Sequence, residues 1–527
     1  MMVFAGHPAF GQSKKSTRSS RALQLQQRKY QELRNGFQEE LNKLADWCDE
    51  YQLAPEAKLT RSLTLPVDTK LLVDIKLPST RQAPIASDLP ASQTEWQMNL
   101  RRIRTGYAKD LYRLSREVLR VGATSFAFDM VREVALHDPD HKQARAVLGS
   151  VSWFDPERRT DPDYHGEWVS PFAAKMMSPP QRHGWDDRFG WVLKSHIDKY
   201  RNGMRLWKKK WISADREAEI RRDFDNAWEV RTEHFLVKTN HSLERGVEVA
   251  KELEDYHGFF MRTFASFFET PEELEERFSN SSLRRPRVSA PYEVHYYATR
   301  DEYNGRLIER IPQIAMTNGM YYAHDETCFF YHYPDNENTL FHEATHQIFD
   351  LSTRQQQVAA ARAKARKNRT KVTPWVVAER NNFWVIEGFA CYMESFNNAD
   401  GQITLGDPGF IRFKVAQQRI IDDGYYVPFR EITPKGMVEF QVDPNIKKNY
   451  TQASGMAHFL MHYNNGAYRD ALMEYLSQLY RPSTKDPNAA PSLANIIGVT
   501  YEELDEQYRE HMRTPHKMME RPTVSRP

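Results

Sequence analysis

The stretch LFHEATHQIF, residues 340–349, restricts the fold more than any other part of this chain. Leu340, Phe341, Ile348 and Phe349 recur with a helical period, as expected of a helix buried beneath a cleft. On such a helix positions i and i+4 share a face, so the imidazoles of His342 and His346 can reach one point. Glu343 stands one residue round from the first histidine. The HExxH spacing is that of a zinc site in which both histidines are ligands and the glutamate addresses a water activated by the ion. The pattern is short, and a solvated or salt-bridged helix face would also produce it.

A catalytic zinc takes three protein ligands and keeps one position open. The segment FWVIEGFACYME, residues 383–394, is also helical by pattern and sets Glu387 among Trp384, Val385, Ile386 and Phe389. A carboxylate in such surroundings is costly unless it is paired or bound to a metal. Gly388 beside it allows another backbone to approach closely.

HEATH followed by WVIEGFACYME resembles the gluzincin metallopeptidases, in which a helix bearing Glu-Gly-x-Ala-x-Tyr supplies the third zinc ligand. The likeness is closest to the peptidase MA-like group and more distant to the M1 aminopeptidases. From WEVRTEHFLVKTNHSLE onwards, with AVLGSV and GEWVSPFAAKM upstream, the chain resembles an uncharacterised HExxH peptidase-like domain common in planctomycete bacteria. The resemblance spans roughly residues 135 to 512. It implies that Glu387 is a zinc ligand with His342 and His346, that Zn2+ is the cofactor and that Glu343 is the general base. It further implies an oxyanion-binding tyrosine, for which Tyr450 in NYTQASG is the nominee, with His458 and His462 as weaker rivals. TCFFYH, residues 327–332, corresponds in position to the edge strand that pairs with peptide substrates. The Gly-Ala-Met-Glu-Asn motif that binds a free N-terminus in M1 enzymes has no match. Asp350 and Glu394 could orient ligands from behind, or serve surface and helix-pairing roles.

One departure from the family concerns the interval between ligands. Forty residues separate His346 from Glu387, about twice the usual number, and residues 351–378 hold seven Lys or Arg and no acidic residue. A solvated helix or loop is the simpler reading, and a cationic wall selecting acidic substrates is the functional one.

The expected architecture is α+β: a zincin-like catalytic domain with a small mixed sheet and active-site helices, preceded by a helical region and followed by a helical subdomain. Residues 1–16 read as a signal remnant or disordered start, and 17–150 as mainly helical and weakly tetratricopeptide-like, with extended structure and loops over 51–93. In 151–225, Trp168–Val169, Trp191–Val192 and Trp211–Ile212 recur as three short strands whose tryptophans seed a small core; a glycan-binding aromatic surface is the alternative. Residues 226–400 form the catalytic domain, 401–512 the helical subdomain and 513–527 a disordered tail.

Composition narrows the partners. A formal charge of +2 gives no electrostatic footprint for nucleic acid, and no stretch approaches the ~18 apolar residues of a membrane span. Cys48, Cys328 and Cys391 form no CxxC pair, and buried free thiols are favoured over a Cys328–Cys391 bridge. The start, MMVFAGHPAFGQ, resembles the tail of a signal peptide, which would place the protein outside the cytoplasm; otherwise it is cytoplasmic. The expected function is a zinc-dependent hydrolase, a metallopeptidase acting on a peptide or protein. The alternatives are a binding or scaffold protein on the same fold and a zinc amidase acting on a non-peptide amide. Oligomeric state is left open.

Overall fold

The structure is a computed structural model that describes residues 13–63, 72–280, 290–334, 337–399, 402–486 and 489–514. The leader-like start therefore lies almost wholly outside the described residues, as does the tail from 515 onwards. The architecture is mixed, with many helices and small sheets. Among the described residues no helix is long and apolar enough to cross a membrane.

The chain opens with helices α1 (Ser13–Glu50), α2 (Ala54–Ser62), α3 (Ala91–Arg120), α4 (Thr124–His137) and α5 (Lys142–Val147). They close over their own apolar core, in which Leu41, Leu111, Val118 and Phe128 are buried. The expectation of extended structure over 51–93 is corrected in part by α2. Pro55 sits in its first turn, where a missing N–H leaves no helical bond unmade. Among the described residues from 72 to 90, which include Pro78, Pro84 and Pro90, the chain forms the strand Leu72–Ile75 and no helix before α3.

The Trp168–Val169, Trp191–Val192 and Trp211–Ile212 segments each form the second strand of a two-stranded hairpin. Val151–Trp153 pairs with Glu167–Val169, His183–Asp186 with Gly190–Leu193, and Met204–Trp207 with Lys210–Ser213. Ser170 and Ser213 then cap the helices that follow the first and third hairpins. Trp168 is buried; Trp191 packs edge-on against Trp185, and Trp211 against His196 and Tyr200. The Lys199 ammonium covers the Trp211 ring, so the aromatics pack inward on their own modules.

A five-stranded sheet follows: β1 (Trp228–Arg231), β2 (Phe235–Thr239), β3 (Tyr292–Tyr297), β4 (Gly319–Tyr322) and β5 (Thr327–Tyr331), in the order β4-β5-β3-β2-β1. β2, β3 and β5 run parallel, while β1 and β4 are antiparallel edges. TCFFYH is thus an interior strand, a correction to the expectation that it forms the edge. All five residues of β5 are buried, because a strand paired on both sides and covered by helix has no solvent face, which explains its unbroken apolar run.

Helix α6 (Leu243–Thr263) covers the sheet, and α7 (Glu337–Asn368) follows β5 with HEATH in its second turn. Tyr256 of α6 shares a hydrogen bond of 2.6 Å with Thr345, and the buried Gln347 amide donates to the carbonyls of Glu293 and Glu326, each at 2.9 Å. These bonds fix the rotation of α7 about its axis. Helices α8 (Phe383–Met393), α9 (Ile411–Ile421), α10 (Ile446–His462), α11 (Arg469–Tyr480) and α12 (Tyr501–Arg513) complete the molecule. One core runs from Val230 to Met512 without a break at residue 400.

Candidate metal centre

On α7 the residues Leu340, Phe341, Ala344, Ile348 and Phe349 are buried, and His342, Glu343 and His346 form the half-buried face turned to the cleft. Across from them every residue of α8 is buried except Glu387. That exception follows from helix packing. Gly388 lies against α10 so closely that a Cβ there would stand 2.5 Å from the Ala453 carbonyl oxygen, which leaves the next position turned towards α7.

The three predicted ligands converge. His342 Nε2 lies 3.3 Å from His346 Nε2 and 3.5 Å from a Glu387 carboxylate oxygen, and His346 Nε2 lies 3.9 Å from the other. Donors about 2.0–2.2 Å from a tetrahedral ion stand roughly 3.3–3.6 Å apart, so this is the spacing of a three-ligand zinc site with small adjustments. The imidazole planes meet at 70°, which lets both in-plane lone pairs point at one position. His342 Nδ1 is 2.8 Å from Glu394, which sets its proton on Nδ1 and turns Nε2 to the centre. Burial lowers the His342 pKa, but Cys391, Glu387 and Glu394 outweigh it and hold the group well above the ordinary histidine range. A proton and a cation therefore compete for this ring. Burial works against the charged form of Glu387 as well, yet His342 and His346 keep its carboxyl below the usual value. Buried His346 is lowered.

Glu343 is held by the edge strand, since its carboxylate accepts the Tyr321 N–H at 2.7 Å. An N–H points to one side of its strand only, so Tyr321 presents its backbone to the open edge of β4 rather than to β5. Sequence reasoning missed Tyr321. Its phenol donates to Asp350 at 2.6 Å, one turn beyond His346, and Asp350 also pairs with Arg354 at 2.8 Å. Asp350 thus holds the edge strand, whereas Glu394 holds the His342 imidazole, which separates two carboxylates that the sequence left equivalent.

Tyr450 stands on α10 a turn before Ala453. Burial first, then the nearby carboxylate of Glu387, push its phenol far above the ordinary tyrosine value, and His342 and Glu343 also act on it. Its rivals are committed elsewhere: His462 Nε2 bonds the Tyr392 hydroxyl at 2.7 Å, and His458 meets the Gly406 carbonyl and His511, each at 3.1 Å. No known protein family, curated protein or solved structure matches this chain.

Among the described residues two other clusters hold ligand-type side chains. His342, Cys391 and Glu394 use the far side of the same imidazole. His234, Glu254 and His257 also come together, but the two rings stack at 3.9 Å and 25°, so their lone pairs run nearly parallel and do not meet. His234 instead pairs with Glu254 at 2.6 Å, the geometry of an ion pair. All three cysteines are buried free thiols. The basic stretch after residue 350 continues α7 to Asn368, with Arg362, Arg366 and Lys367 exposed and Ala360, Ala361 and Ala365 buried, so the basic side chains lie on the solvated face of a helix.

Proposed function

We propose that the chain is a zinc-dependent hydrolase of peptide bonds with a zincin-like catalytic region. The observation that carries this is the convergence of His342, His346 and Glu387 at tetrahedral donor spacing, the histidines on the half-buried face of α7 and Glu387 as the one residue of α8 that is not buried. Zinc held there would polarise a substrate carbonyl and lower the pKa of a water to about 7. Glu343, kept at the cleft by the Tyr321 N–H, takes the proton of the attacking water and returns it to the leaving amine. The Tyr450 hydroxyl approaches from α10 and donates to the oxyanion. The open edge of β4 offers backbone partners to an extended peptide passing Glu343, which favours a polypeptide over a compact amide.

The test is zinc content after metal-free purification, combined with a cleavage profile over a mixed peptide library and glycan-linked amides. Wild type should hold one zinc and cut peptides. Glu343→Gln should keep the metal and lose at least ~10²-fold in turnover, while His346→Ala should lose the metal. A wild-type chain without stoichiometric zinc ends the proposal. Zinc without hydrolysis of either substrate class favours the scaffold reading, and cleavage of the glycan-linked amides alone favours the amidase.

A further inference from the structure

We propose that Arg412 is a positioning residue of the metal centre, acting on His342 through Glu394; the inference rests on the zinc reading above. Glu387, Cys391 and Glu394 occupy positions i, i+4 and i+7 of α8 and its C-terminal end, one stripe that runs alongside His342. Glu387 meets the Nε2 side of the ring, and Glu394 meets the Nδ1 side. Glu394 has few ways to be fixed by α8 itself, because it is the residue that ends the helix. Arg412, in the first turn of α9, closes on it as a fork: Nε lies 2.5 Å from one carboxylate oxygen and Nη2 2.6 Å from the other. The oxygen that takes Nη2 is the one that holds His342.

Such a two-point contact sets the plane of the carboxylate as well as its place. A carboxylate held by one bond swings, and the His342 ring would turn with it, carrying Nε2 out of the converging set. The fork also brings a permanent positive charge beside a pair of carboxylates on one helix face, and the Glu394 side chain is 11% exposed. Arg412 comes from beyond residue 400, outside the segment that carries every ligand. The helical C-terminal part therefore contributes to the metal site from behind, through Arg412, as it contributes Tyr450 from in front.

The decisive measurement is zinc affinity by chelator competition on the full chain, with apo thermal unfolding recorded alongside and the visible spectrum of the cobalt-substituted protein. Arg412→Ala should weaken zinc by ~10–100-fold and shift the cobalt ligand-field bands. Arg412→Lys, which keeps charge but loses the fork, should fall between wild type and Arg412→Ala, and added guanidinium should restore part of the affinity of Arg412→Ala. If Arg412→Ala binds zinc as tightly as wild type with the same cobalt spectrum, the inference is overturned, even if the apo midpoint drops, because Arg412 is then a staple between α8 and α9. If wild type itself takes up no zinc, the functional proposal fails first.

Discussion

Glu387 is the one side chain of α8 that packing leaves accessible, and its two nearest polar partners are the imidazoles of α7. A helix–helix contact without function would place an apolar residue there, since a half-buried carboxylate needs partners. Tyr450 and Tyr321 divide the other tasks. On the proposed mechanism Tyr450→Phe should lower turnover by ~10²–10³-fold with zinc content unchanged, since it would remove an oxyanion donor and no ligand; steady-state kinetics and metal analysis read both. Tyr321→Phe leaves Asp350 with Arg354 alone. It should lower kcat by loosening the strand that holds Glu343, and reduce stability by about 1–3 kcal/mol in denaturant unfolding. HEATH announced itself in the sequence because the motif is local. Tyr321 gave no signal, since its backbone N–H is chosen by strand pairing rather than by its side chain.

Among the elements, α8 and α10 approach closely at Gly388. At Gly388 an added methyl would meet the Ala453 carbonyl at 2.5 Å, and the helix backbone behind that carbonyl cannot yield as a side chain could. Gly388→Ala should therefore cost about 1–3 kcal/mol and widen the gap between Glu387 and Tyr450. Thermal unfolding should show the loss, and turnover should fall more than zinc affinity. The need for close approach was legible from an isolated glycine in an apolar helix, but its partner was not. The edge-strand expectation went wrong for a related reason. Both TCFFY and GMYY are strand-like by composition, and only the pairing decides that β5 is flanked on both sides while β4 has an open edge.

Across the whole molecule, the N-terminal helices are tied to the rest at several joints. Tyr112 donates to the Phe278 carbonyl at 2.8 Å, and the strand Leu72–Ile75 pairs with Gln402–Leu405, more than three hundred residues away. At a third joint Asp470 of α11 accepts from the Ser125 N–H and hydroxyl of α4 and from Ser266. Burial lifts the Asp470 carboxyl to about 6 in spite of Arg469 and these bonds. The folded form thus binds a proton more tightly than the unfolded chain. Stability from this group is greatest below the unfolded carboxyl value and falls as pH rises towards 6. Asp470→Asn should raise the unfolding midpoint more at pH 7 than at pH 4, and equal shifts at the two values would contradict this. On the proposed zinc reading, metal occupancy should move the other way, weakening as acid protonates His342.

By itself the sequence determined the helices with a strong period, the tryptophan-bearing strands and the pairing of HEATH with a second apolar helix that carries Glu387. These depend on neighbours within a few turns, which a linear pattern records. Tertiary structure alone decided that β4 is the edge, that Asp350 serves the strand while Glu394 serves His342, and that Arg412 stands behind Glu394. Each of those depends on contacts between residues far apart in the chain. Such contacts are set by how helices and strands pack, and no local period encodes them.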